Sequence, residues 1–293
     1  MGIRTRTVPV EGLSGCRETL RKAALVFEHT DTYRGSGELR PLVRHRIEAW
    51  GGRVAGSPSG AAHVADDKIE AARRLKAAGL RVPRSWFLSD RTMTRIPRIR
   101  YPVMMKRPFE HGSRGVVLVE NLTHMMKTMK AWARRGEQTV LFEELIGGQE
   151  LAVGVVETAR GLRVLPPIAV TLNGRTYSAR AKWGPSPLPI EAADVDSRLQ
   201  RRLSRDAGRA FRALGLRGYA RFDLRLDSRG APCFLEANAR PSIEDGTEMR
   251  LACELAGMSF EVFLLHVIEN AARRHGDSAL ARLAAEMRQE RER

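Results

Sequence analysis

The sequence predicts a mixed α/β fold of the α+β class. Short apolar runs arrive in pairs joined by Gly- or Asp-containing turns, the pattern of β-hairpins. Between them lie segments of helical periodicity with capping residues at their starts and glycine after their ends. Of the 293 residues, 43% are hydrophobic, enough to bury a core.

Residues 1–23 are basic and carry no clear pattern. An apolar run at 24–27 reads as a strand and 28–37 as a polar loop. A helix is expected over 39–50, ended by Gly51 and Gly52, and another over 66–78, with acids in its first turn and Gly79 beyond it. The polar stretch 89–100 reads as a linker. Strands at 103–106 and 116–119 flank a Gly/Ser loop, and Asn121 is placed to cap a helix over 122–134. Strands at 140–145 and 150–156 flank Ile146-Gly147-Gly148-Gln149; 165–170 and 176–182 are further strands, and 184–190 is Pro-rich. Helices follow over 196–214 and 247–256. Ser259 caps one over 260–274, and Leu280, Leu283, Ala284 and Met287 keep helical spacing in a charged tail.

The net charge of +16 favours anionic partners such as nucleotides, nucleic acid or phosphorylated substrates. The arginines are scattered, and with 6% aromatics no stacking platform for single strands is apparent, which speaks against nucleic acid. Cys16, Cys233 and Cys253 are too far apart for a disulfide framework or a zinc site, and the seven histidines form no ligand pair at helical spacing. No apolar run reaches membrane-spanning length and no signal-peptide pattern is visible, so a cytoplasmic location is expected.

The chemistry concentrates in one hairpin. Asp227-Ser228-Arg229-Gly230 is a turn signal between residues 221–226 and 234–238. Pairing Asp227 with Gly230 sets Arg221 opposite Glu236 and Asp223 opposite Phe234. Alternation then places Phe222, Leu224, Leu226, Cys233, Leu235 and Ala237 on an apolar face, and Arg221, Asp223, Glu236 and Asn238 on the other. Hard oxygen donors in this number suit Mg²⁺, which is held by one or two carboxylates plus substrate phosphates. Lys106 ends an apolar strand before a loop whose N–H groups can face an anion. Glu143 and Glu144 end another strand before Gly147-Gly148, an edge that can offer a carboxylate and backbone groups to a nucleoside.

In this order, Tyr101-Pro102-Val103-Met104-Met105-Lys106-Arg107-Pro108, the loop 110–116, the segment 140–154, Arg217-Gly218-Tyr219-Ala220-Arg221-Phe222-Asp223 and Phe234-Leu235-Glu236-Ala237-Asn238-Ala239-Arg240-Pro241 resemble the ATP-grasp superfamily and, within it, the D-alanine–D-alanine ligase-like carboxylate–amine ligases. The resemblance runs from about residue 24 to 274. It implies two α+β subdomains clamping ATP after a shortened N-terminal domain: 1–65, then 66–142, then 143–275 with the magnesium site, then a charged helical tail at 276–293. It implies ATP and Mg²⁺ as cofactors, with two ions and Mn²⁺ as a substitute, and amino acids or peptides as substrates; it leaves a homodimer open. Lys68 and Lys106 are implied to contact ATP phosphates and adenine, Gly112, Ser113 and Gly115 to form the phosphate loop, and Glu143 to accept from the adenine amino group. Glu144 and Ile146 would offer backbone groups to adenine and Glu150 would hold the ribose. Lys182 would reach the transferred phosphoryl group, Asp223, Glu236 and Asn238 would hold magnesium, and Arg221 would steady the oxyanion of a tetrahedral intermediate. Residues 110–115 and 173–187 are candidate lids.

Some positions depart from that pattern. No glycine-rich opening strand is visible in residues 1–23, and the loop 28–37 is expected to replace it. Arg240, Glu244 and Asp245 are unlike a pocket for two alanines; Trp183 stands where Tyr is common and Arg180 where an acid is common. Thr247 stands at the position of a carboxylate-binding hydroxyl, and Ser242 joins it as a substrate candidate. Arg240 is either a grip for an acidic substrate or a surface arginine. Two other activities share these residues: phosphoryl transfer to a hydroxyl, and a silent, basic nucleic-acid-binding protein.

Overall fold

The structure is a computed structural model describing residues 4–30, 32–34, 36–37, 39–89, 99–109, 115–135, 139–171 and 189–293. The N-terminal segment, patternless in the sequence, forms a 3-10 turn over Val10–Cys16 and helix α1 (Arg17–Lys22). Leu13 and Leu20 pack with Val43 and Ile47 of α2 (Arg40–Ala49). The run at 24–27 contributes one parallel bridge, Val26 to Val54, rather than a strand. The helix expected over 66–78 is α4 (Lys68–Ala77), and a further helix that the sequence reading did not assign, α3 (Ser59–Asp66), precedes it. The break is at Asp67, whose extended backbone lets its carboxylate accept from the N–H groups of Ile69 and Glu70. That break puts Lys68 in the first turn of α4.

A four-stranded antiparallel sheet has the order β1-β4-β2-β3, from β1 (Ser85–Ser89), β2 (Val103–Lys106), β3 (Val116–Val119) and β4 (Thr139–Glu144). Met125, Met129 and Trp132 of α5 (Leu122–Ala133) close one face over Val103, Met105 and Phe142. Alternation leaves Lys106 of β2 and Glu143 of β4 on the other face.

The second sheet runs β10-β9-β5-β7-β8, with β6 also paired to β5. Its strands are β5 (Glu150–Thr158), β6 (Gly161–Val164), β7 (Ile168–Val170), β8 (Ile190–Ala192), β9 (Tyr219–Leu226) and β10 (Pro232–Asn238), every pair antiparallel. Leu151, Val153, Phe222 and Leu224 face α3, α4 and α6 (Ser197–Ala213), meeting Leu203, Ala207 and Phe211. Ala152 and Val156 face α7 (Glu248–Leu255) and α8 (Phe260–Arg274), meeting Met249, Cys253 and Phe263. Both faces are therefore covered, and each fully buried Leu or Phe contributes about 1.5–3 kcal/mol. The tail helix α9 (Ser278–Glu292) packs on α8, where Arg288 Nε donates to Glu269 Oε2 at 3.2 Å. Among the described residues no single helix is long and apolar enough to cross a membrane. The segment expected as a strand at 176–182, and the candidate lids apart from Gly115, lie outside the described residues.

The β9–β10 register corrects the one expected from the sequence. Arg221 faces Asn238 and Asp223 faces Glu236. The turn is longer than two residues: Asp227 N–H donates to the Ala231 carbonyl and Gly230 N–H to the Asp227 carbonyl, with Gly230 at φ 70°. The Asp227 carboxylate accepts from the N–H groups of Arg229 and Ala231 and holds that turn. A second irregularity between Phe234 and Glu236 makes Leu235 an extra residue. Near the turn, Phe234 thus replaces Leu235 and Cys233 on the apolar face, where it meets Phe222 edge to face at 5.8 Å between ring centres. Beyond the bulge the parity is restored, so Arg221, Asp223, Glu236 and Asn238 still share one face.

Candidate active site

The described site lies where β2 and β4 of the first sheet approach the β9–β10 face of the second. Lys106 Nζ is 2.5 Å from Glu143 Oε2, both side chains buried. Burial works against the Lys106 ammonium, but Glu143 outweighs it and raises the lysine pKa, with Glu236 and Glu150 adding to the effect. Lys68, buried in the first turn of α4, donates to Glu236 Oε1 at 3.3 Å. Arg221 Nε and Nη2 meet Asp223 Oδ1 and Oδ2 at 2.7 and 3.0 Å, a two-pronged pair. Its Nη1 donates to Glu248 Oε2 at 2.9 Å. Burial opposes the Arg221 charge, yet Asp223 and Glu248 together raise its pKa. Asn238 Oδ1 accepts from the Arg240 N–H at 3.0 Å.

A cleft of about 510 Å³ opens beside this cluster, lined by Leu145, Gly147, Gly148, Gln149, Glu150, Ala169, Val170, Thr171, Glu191 and Arg225. Glu150 Oε2 accepts from Arg225 Nε at 3.0 Å, and Arg225 Nη1 reaches the Ile146 carbonyl at 2.9 Å. Burial raises the Glu150 pKa, and Asp223 pushes the same way against the pull of Arg225. Gly148 has φ 85°, and a Cβ there would lie 2.1 Å from the Leu226 carbonyl oxygen, so only glycine fits the turn.

The structure thus brings Lys68, Lys106, Glu143, Glu150, Arg221, Asp223 and Glu236 into one linked set of charges. Glu144 N–H donates to the Arg84 carbonyl and its carboxylate takes Arg84 Nε, while the Ile146 carbonyl is held by Arg225. This narrows the backbone groups those two residues can offer to a base. Gly115 accepts from the Arg107 N–H; Gly112, Ser113 and Lys182 lie outside the described residues. Thr247 is the N-cap residue preceding α7, with Oγ1 donating to the Glu244 carbonyl at 2.7 Å and lying 3.2 Å from the Ser242 carbonyl.

Arg240 is not on the surface. It is 3% exposed and bonded to Glu28 at 2.7 Å and to Asp66. Arg44 shares Glu28 at 3.0 Å, so residues 28, 44, 66 and 240 tie the N-terminal segment to the turn after Asn238. Sequence reasoning missed Glu248, Arg225 and this network. Arg225 was legible, since 221, 223 and 225 share a face by alternation. Glu248 and Glu28 reach their arginines only through tertiary packing.

The two carboxylates and one carboxamide on a single face of the β9–β10 hairpin fit a hard divalent cation that also takes phosphate oxygens. Asp223 and Glu236 are only part-buried, and each is already balanced by a cationic side chain.

Comparison with known proteins agrees with this geometry. The family described as "D-ala D-ala ligase C-terminus" matches residues 75–269, well over half of the chain. A D-alanine–D-alanine ligase from Desulforudis audaxviator is 30% identical over 272 residues, covering 91% of this chain and 88% of that protein. The D-alanine–D-alanine ligase of Bacillus anthracis crystallised with ATP superposes with a TM-score of 0.74 at 18% identity, covering 90% of this chain and 84% of that one. A D-Ala:D-Ser ligase from Enterococcus faecalis superposes with a TM-score of 0.72 at 22% identity, covering 85% and 73%. The fold is the ATP-grasp fold of these neighbours, and the chain belongs to the D-alanine–D-alanine ligase family.

Proposed function

We propose that this protein joins an amino acid, through its carboxylate, to the amine of a second amino acid or a peptide. The reaction is ATP-dependent, ADP-forming ligation of a carboxylate to an amine, and it requires ATP and Mg²⁺. The observation that carries the reading is the Arg221–Asp223–Glu236–Lys68 face set against the Lys106–Glu143 pair, within a chain matched to this family over residues 75–269.

The chemistry explains the residue types. A carboxylate must attack the γ-phosphorus of ATP although both are negative. In this reading Lys68, Lys106, Lys182 and the N–H groups of Gly112, Ser113 and Gly115 hold the phosphates and offset that repulsion. Glu143, Glu144, Ile146 and Glu150 hold the nucleoside, the last two at the edge of the 510 Å³ cleft. Asp223, Glu236 and Asn238 would hold magnesium, two ions with manganese as a substitute, and bound there it would screen the phosphate charge. The acyl phosphate then meets the amine, and Arg221 stabilises the oxyanion; loss of such a donor costs about 10²–10³ in rate. In this reading Thr247 and Ser242 would meet the substrate carboxylate, and Arg240, held by Glu28 and Asp66, would act from behind them. The 1–65, 66–142, 143–275 and 276–293 division, a homodimer and a cytoplasmic location complete the reading.

The protein incubated with ATP, Mg²⁺ and pairs of D- and L-amino acids, D-alanine included, should release ADP and phosphate only when a carboxylate and an amine partner are both present. AMP with pyrophosphate, or a stable phosphate ester in place of an amide, would overturn it. Phosphoryl transfer to a hydroxyl and a silent nucleic-acid-binding role are not favoured by relatives that are ligases.

A further inference from the structure

Arg221 is the most heavily held side chain of the site. Its Nε and Nη2 are committed to Asp223, and its Nη1 alone is committed elsewhere, to Glu248. Asp223 is a proposed metal ligand; when its oxygens turn to a cation, the two-pronged contact can no longer hold the guanidinium unaided. A second anchor must then keep Arg221 aimed. Glu248 is placed for this. It is the first residue of α7, 6% exposed, its negative charge favoured by the N-terminal end of the helix dipole.

The sheet brings that helix close. Gly154 of β5 stands opposite Arg221 in the register. A Cβ on Gly154 would lie 2.9 Å from Met249 Sδ and 2.9 Å from Leu165 Cδ1, so the bare backbone admits Met249. Met249 seated there sets its neighbour Glu248 against the guanidinium.

We propose that Glu248 is a positioning residue for Arg221, acting in the amide-forming step through the Nη1 contact. The inference rests on the ligase reading above for its effect on rate, but not for its structural content. Glu248 touches neither nucleotide nor metal in this assignment. Its loss lowers kcat and leaves the KM for ATP nearly unchanged.

The test compares Glu248→Ala, Glu248→Asp, Glu248→Gln, Arg221→Lys and the double variant Glu248→Ala/Arg221→Lys. Glu248→Ala should lower kcat about 10- to 100-fold, part of the loss expected for a whole oxyanion donor, with the ATP KM within about twofold. Glu248→Gln, which keeps an acceptor but no charge, should fall between Ala and wild type. Glu248→Asp should regain part of the rate. The double variant should be no slower than Arg221→Lys alone, because both changes remove one action; multiplicative losses would overturn the proposal. A readout independent of turnover is the guanidinium nitrogen resonance of Arg221 in ¹⁵N-labelled protein, identified by its loss in Arg221→Lys. It should shift in Glu248→Ala while the other guanidinium signals stay. An unmoved resonance refutes the contact. A moved resonance in a protein whose wild type releases no ADP with any amino-acid pair leaves the positioning intact and refutes the ligase reading instead.

Discussion

Lys106 and Glu143 meet side chain to side chain from adjacent antiparallel strands, 2.5 Å apart, on the face of the first sheet that α5 does not cover. A buried pair of this kind is costly to break and cheap to replace. Lys106→Ala leaves the Glu143 carboxylate buried and uncompensated and should destabilise the protein by about 3–5 kcal/mol. Lys106→Met with Glu143→Met should recover most of that stability and none of the ATP-dependent activity. Urea denaturation and ADP release check the two halves separately.

Glu28 gives the fold an acid-sensitive tie. Burial pushes its carboxyl upward, but Arg240 and Arg44 outweigh burial, and with the Thr30 N–H they lower it to about 2. Its folded pKa is therefore depressed. The stabilisation is present above the ordinary value of 4.5 and is lost as pH falls from there toward about 2. Denaturation midpoints measured from pH 6 to pH 2 should fall in this window. Glu28→Gln should start less stable and lose less across it; an unchanged slope would argue against the Glu28 tie.

Asp223→Asn and Glu236→Gln each keep an acceptor for Arg221 or Lys68 but remove a charge from the proposed cation site. Cation screening is worth several kcal/mol of transition-state stabilisation, so turnover should fall about 10²-fold or more. Both variants should stay folded by circular dichroism, with an apparent Mg²⁺ requirement shifted to higher concentration. Wild-type turnover in either variant would remove these residues from the metal assignment.

Gly148→Ala tests the cleft. Its positive φ and the approach of the Leu226 carbonyl leave no room for a methyl group, so the turn must shift at a cost of at least about 1 kcal/mol. Because this turn lines the cleft, the KM for ATP should rise more than the KM for either amino acid in steady-state kinetics.

The strand-borne chemistry was legible in the sequence. Lys106, Glu143, Glu150, Arg221, Asp223, Glu236 and Asn238 sit at strand ends or on one alternating face, and a side-chain period of two carries that information locally. Capping did the same for helices: Asn121 and Ser259 each accept from a first-turn N–H as their positions foretold. The hairpin register was not legible, because a turn held by the Asp227 carboxylate and a bulge at Leu235 each add a residue without altering the apolar pattern. Helix α3 was equally hidden, and with it the break at Asp67, which caps α4 as readily as it would continue an acidic first turn.

What the sequence by itself determined was the strands that carry the site, most of the helices and the residue types that bring charge to it; β1, β6 and β8 were not legible. What only the tertiary structure decided was which charge answers which: Glu248 with Arg221, Arg225 with Glu150, and Glu28 and Asp66 with Arg240. Local periodicity places a side chain on a face, whereas an ion pair between distant segments forms only where packed helices and sheets bring both partners out of water together.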